Sequence, residues 1–88
     1  MFKTAKDFEK AMYNVLVNYI NDKYTVELFD FDISKGDFIE INSHLIDCRY
    51  IIGVTKTNNA SHPFSSLNDP HVTYSGLKYM EAYEHNNI

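Results

Sequence analysis

Tryptophan is absent from this sequence, cysteine occurs once, proline twice and glycine three times among 88 residues. Each shortage closes off a class of protein. A lone Cys48 can form no internal disulfide, so no disulfide framework exists and a reducing, cytoplasmic setting is expected. So few glycines and prolines cannot supply the frequent tight turns of an all-β chain, which shifts the expectation toward helices. No run approaches the roughly 20 apolar residues of a membrane span, so no membrane partner is expected. The opening MFKTAKDFEK carries charge where an export signal would hold its apolar core, and no export signal is expected. Basic residues are scarce as well: 8 Lys and Arg stand against 12 acids, for a formal net charge of −4. Nucleic-acid binders draw much of their affinity from neutralising phosphates. General coating of DNA is therefore disfavoured, although a local basic patch is compatible with such a balance.

Catalytic and metal-binding patterns are missing too. None of His44, His62, His71 and His85 stands at His-x3-His spacing, and there is no second cysteine, so no metal is expected. No Ser/His/Asp or Cys/His/Asn set has supporting motif context. Neither an enzyme nor a cofactor is expected.

What is present is a chain of one-domain length, 1–88, with 44% hydrophobic residues, able to bury a core without staples. Thr4 is placed to cap a first helix, with Asp7 in a weaker form of the capping box. Phe8, Met12, Val15, Leu16, Tyr19 and Ile20 then form one apolar stripe at helical period. Lys6, Glu9, Lys10, Asn14 and Asn18 take the other face, and Asn21-Asp22 ends the helix. The stretch from Tyr24 to Ile33 lacks clean periodicity. It reads as a short extended piece and a short helix around Val26 to Phe29, with Leu28, Phe29 and Phe31 supplying core contacts. Ser34 opens the next helix and Asp37 repeats the capping pattern. Phe38, Ile41, Leu45 and Cys48 share its inward face, which makes Cys48 a buried small hydrophobe. Tyr50 to Thr57 reads as a strand. Asn58 to Pro70 is the only turn-rich stretch, with Phe64 and Leu67 folding back as a small satellite cluster, and His71-Val72-Thr73 is a short return strand. Thr73 caps a last helix facing inward through Leu77, Met80 and Tyr83 or Ala82, and Gly76 admits another backbone. The tail 85–88 is expected to fray.

The order helix, short element, capped helix, strand, loop, strand, helix is that of an α+β winged helix-turn-helix: a three-helix core, a two-stranded β-wing and a C-terminal helix. Three segments carry the resemblance. Ser34-Lys35-Gly36-Asp37-Phe38 resembles the start of a recognition helix. Leu45 to Gly53 is similar to the helix end and strand entry of that class. Val72-Thr73-Tyr74-Ser75-Gly76-Leu77-Lys78-Tyr79-Met80 resembles the "T-x-x-G-x-x-Y-L" closing signature of bacterial and phage winged helices. Within the class the chain looks most like the YjcQ-like family of bacterial and prophage proteins. Members of that family often carry glycine where Arg49 stands. The resemblance implies a DNA-binding or transcriptional regulatory role in a phage or prophage setting.

The residues for such a role are Lys35, Asn42, Ser43 and His44 on the recognition helix, Arg49 at its end, and Lys56, Asn58 and Asn59 on the wing. Asn and Ser can read base edges, and Lys or Arg can meet phosphate; Thr57, Ser61 and His62 extend the polar wing tip. Glu40 and Asp47 on the same helix would repel phosphate. A face where Lys35, Arg49 and Lys56 cluster free of those acids favours double-stranded DNA; a mixed face favours a protein partner. Tyr13, Tyr19, Tyr79 and Tyr83 suit a core edge, or a homodimer surface built from the first and last helices.

Overall fold

The computed structural model describes residues 2–58 and 63–86, with the side chains of residues 66–68 outside that description. Its elements are α1 (Ala5–Ile20), a 3-10 turn (Val26–Leu28), α2 (Lys35–Asp47), β1 (Ile51–Lys56), β2 (Phe64–Val72) and α3 (Tyr74–Asn86). The chain is an α+β protein.

All three long helices start on the expected caps. The Asp7 N–H donates to Thr4 Oγ1 at 3.0 Å and the Asp37 N–H to Ser34 Oγ at 3.1 Å. The Gly76 N–H donates to Thr73 Oγ1 at 3.2 Å. Each hydroxyl satisfies one of the free amides that a helix leaves at its start.

The ends of α1 and α2 are also alike. After α1, the Lys23 N–H reaches Asn18 O and the Asp22 N–H reaches Tyr19 O; after α2, the Tyr50 N–H reaches Leu45 O and the Arg49 N–H reaches Ile46 O. This is the Schellman pattern, which needs a left-handed residue at its pivot. Asp22 (φ 62°) and Arg49 (φ 60°) are those residues. The glycine that the resemblance implies at the Arg49 position would thus have a physical reason.

Ala11, Met12, Val15, Leu16 and Tyr19 of α1, Phe38, Ile41 and Leu45 of α2, Ile51 of β1 and Met80 of α3 form the buried core. A run of ring contacts, Phe31 on Phe29, Phe29 on Phe38 and Phe38 on Phe64, ties the connection after the 3-10 turn to α2 and then to β2.

The hairpin pairs antiparallel in two stretches. Ile51 and Ile52 face Val72 and His71; Val54, Thr55 and Lys56 face Ser66, Ser65 and Phe64. Between them β1 has only Gly53, at φ 86°, while β2 has the four residues Leu67 to Pro70. This bulge accommodates Pro70, which has no N–H for a ladder. The Thr57 N–H donates to Pro63 O at 2.8 Å.

Several expectations need correction. The return strand begins at Phe64 rather than His71, and Phe64 packs on the main core rather than in a satellite cluster. Leu67's side chain lies outside the described residues. Cys48 is exposed, because it is the C-cap of α2, where the chain leaves the helical path and the apolar stripe has ended at Leu45. Asn18 is buried rather than solvated: its Nδ2 donates to Asn14 O, and its Oδ1 accepts from the Asp30 N–H, holding the following connection against α1. Ile20, Leu28 and Leu77 are exposed. Ile20 is the last residue of α1, and Leu28 points out of the tight 3-10 turn. Leu77 is displaced because Gly76 and Met80 are the buried residues of α3. Ala82 is exposed as well, and α3 continues to Asn86, one residue past His85.

Two substitutions follow. Holding a side chain in left-handed geometry costs about 1 kcal/mol, so Arg49→Gly should leave stability unchanged or raise it by up to about 1 kcal/mol, after glycine's larger unfolded-state entropy is counted. A Cβ on Gly76 would stand 2.4 Å from Tyr50 O and 2.7 Å from Val72 Cγ1. Gly76→Ala should therefore cost about 1–3 kcal/mol, seen as a lower urea midpoint at unchanged slope.

Candidate functional site

The surface expected to meet a partner is built by α2 and the β1–β2 hairpin. Phe38, Ile41 and Leu45 hold one side of α2 in the core, so the helical period sends Gly36, Glu40, Ser43 and Asp47 outward along one line. Gly36, Glu40 and Asp47 are exposed and Ser43 is half-buried. The centre of this face therefore carries two acids and no base.

The expected contact residues flank this line. Lys35 is exposed at the first turn of α2. His44 is exposed on the opposite flank, its ring edge-on to Phe8 at 5.3 Å and its Nε2 3.4 Å from Cys48 Sγ. Arg49 is exposed beyond the far end of the helix. The rise of an α-helix puts it roughly 20 Å from Lys35 along the axis. Lys56 is exposed at the turn end of β1, and its Nζ lies 2.7 Å from Asp47 Oδ1. So open an ion pair contributes only ~0–1 kcal/mol to stability. Its importance is electrostatic, since it neutralises the hairpin's lysine beside the helix. Lys35, Arg49 and Lys56 thus do not form an acid-free face. Asn58 is exposed at the start of the hairpin tip; Asn59, Ser61 and His62 lie outside the described residues.

Asn42 is a correction. It is 1% exposed, beneath the surface rather than on it. Its Oδ1 accepts a hydrogen bond from Tyr19 Oη, and its Nδ2 has no partner. The signal for this was in the spacing: Asn42 follows Phe38 by four residues and precedes Leu45 by three, inside the apolar stripe. The Asp47–Lys56 pair had no such signal, because it depends on how β1 turns back along α2.

The tyrosines pack among themselves within the chain. Tyr13 stacks on Tyr83 at 4.6 Å and donates to Glu84 Oε2; Tyr79 stacks on Tyr50 at 5.3 Å and donates to Glu9 O at 3.0 Å. These contacts fasten α3 to α1 and to the end of α2. Among the described residues, no group of three His, Cys, Asp or Glu side chains could hold a metal ion, and no helix is long and apolar enough to cross a membrane.

A family model described as YjcQ protein matches residues 5–86. The chain belongs to the YjcQ family. Membership spans every helix and both strands described above, including the Thr73–Gly76 signature. No curated protein and no solved structure matches the chain.

Burial raises the pKa of Tyr19 and of Tyr79 well above the ordinary tyrosine value, while the hydrogen bond to Glu84 raises that of Tyr13. With a folded-state pKa above the unfolded one, the contribution to stability is complete below about pH 10 and is lost as pH rises further. Denaturant midpoints should fall above about pH 10, with tyrosinate absorbance from the buried rings developing only as the chain unfolds. Tyr19→Phe should flatten that alkaline decline. An equally steep decline in the variant would show that Tyr19 is not its source.

Proposed function

We propose that this protein is a winged-helix binding module of the regulatory kind, acting by binding rather than catalysis, and that a protein is its partner. In this reading α1, the 3-10 turn and α2 are the helix-turn-helix core, the hairpin is the wing and α3 closes the fold. The observation that carries the choice of partner is the outward line of α2. Glu40 and Asp47 occupy the centre of the surface that would enter a DNA groove, and Asp47 pairs with Lys56 of the wing. A phosphate brought there would meet two carboxylates and no free base, whereas a basic protein surface would meet complementary charge. With the family resemblance, we extend the proposal to a regulatory role in a prophage setting.

A second reading, double-stranded DNA, is supported by the exposure of Lys35, His44, Arg49 and Asn58 around the same face. Fluorescence anisotropy against genomic fragments at about 50 mM and about 200 mM salt separates the two, because each phosphate neutralised adds to the salt slope. Under the protein-partner reading, wild-type chain shows no saturable DNA binding at either salt. A Glu40→Gln/Asp47→Asn variant gains weak, salt-sensitive binding. Saturable wild-type binding to one fragment at the higher salt would overturn the proposal in favour of DNA.

A further inference from the structure

A cavity of about 370 Å³ opens between the 3-10 turn, the hairpin-facing side of α2 and the hairpin itself. That volume lies within the range of about 300–1,000 Å³ typical of small-molecule sites, toward its lower end. Val26, Phe38, Ile39, Val54 and Phe64 supply apolar wall, while Tyr19 and Asn42 contribute polar groups. Lys35 and Glu27, both exposed, line it as well.

Asn42 is the unusual member. It occupies a position in the α2 stripe where the helical period expects an apolar residue. A buried amide N–H₂ with no acceptor costs about 1–3 kcal/mol, and Asn42 Nδ2 is in that condition. Reversing the amide does not remove the difficulty. Nδ2 would then face Tyr19 Oη and the carbonyl would be left unpaired, so one end is unmatched in either orientation. In the structure Tyr19 Oη donates to Oδ1, which leaves the donor over. The last torsion of an asparagine side chain is soft, so an acceptor arriving in the cavity could draw Nδ2 toward it.

We propose that this cavity binds a small organic acid with an apolar body. The body packs against Val26, Phe38, Val54 and Phe64, and a carboxylate oxygen accepts a hydrogen bond from Asn42 Nδ2. Among the described residues Lys35 is the one cation lining the cavity, and its long stem lets the ammonium follow the wall toward the acid. Glu27 carries the opposite charge and orients the carboxylate away from itself. The site is bounded by α2 and the hairpin, so an occupant would set the spacing of the two elements that form the outer face. The inference stands whether that face meets a protein or DNA.

The test is a proton–nitrogen NMR titration of the full chain with three probes sharing one body: 3-phenylpropionate, 3-phenylpropanamide and 3-phenylpropylamine. The acid should give saturable shifts at the amides of Val26 and Val54 and at the Asn42 side-chain N–H₂ signals. The amide should bind more weakly and the amine not at all. A Tyr19→Phe/Asn42→Leu double variant removes the donor without stranding the tyrosine hydroxyl, and should weaken acid binding at least tenfold. Val54→Trp fills the cavity from the hairpin side with Asn42 intact, and should abolish binding of every probe even if the double variant does not fold. The proposal is overturned by an absence of saturable shifts at millimolar probe, by preference for the amine, or by acid binding that survives Val54→Trp.

Discussion

Two neighbouring carbonyls, those of Arg49 and Tyr50, govern how this chain closes. Thr73 grips both: its N–H donates to Tyr50 O at 2.9 Å, and its hydroxyl donates to Arg49 O at 2.6 Å. The same hydroxyl oxygen accepts from the Gly76 N–H, starting α3. Gly76 lets that first turn press onto the Tyr50 carbonyl. The carbonyls are presented in this way because Arg49 turns left-handed and ends α2. The exit of one helix, the entry of another and the open end of the hairpin therefore meet in a single joint. Along the direction the joint gives α3, Tyr79 and Tyr83 meet Glu9 and Tyr13 of α1.

α2 has three sides, with Phe38 shared between the core and the cavity. One carries Phe38, Ile41 and Leu45 into the core. A second, with Ile39 and Asn42, borders the cavity beside the 3-10 turn and the hairpin. The third is the outward acidic line. A helix of 13 residues can divide its perimeter in this way because about 3.6 residues complete a turn. The acids are not placed for helix stability, since Asp47 sits at the end where the helix dipole disfavours a negative charge. Lys56 relieves that position from the neighbouring strand.

Much of this architecture could be read from local chemistry. Thr4, Ser34 and Thr73 mark the three helix starts because a short hydroxyl side chain satisfies a free amide within one turn, and the structure uses all three. The closing signature was readable for the same reason: Gly76 is where a Cβ has no room. Errors arose where tertiary arrangement decides. Asn18 and Asn42 are polar side chains that local pattern places in solvent; each is buried because a specific partner, the Asp30 N–H or the Tyr19 hydroxyl, meets it there. The start of β2 is not legible in the sequence because its residues, Phe64 to Pro70, are rich in turn formers, and only pairing with β1 makes them a strand. Leu77 and Cys48 fit a helical period but lie near element ends, where periodicity no longer tells inside from outside.

The C-cap of α2 also leaves the chain's single thiol in the open, beside the His44 ring. One accessible sulfur in a small domain is a ready anchor for a fluorophore or spin label at the edge of α2, with no residue added or removed. It also means that handling in air can join two chains covalently at this point. A paired species seen without reductant would then report sulfur chemistry, and only one that persists in reductant would report recognition between chains.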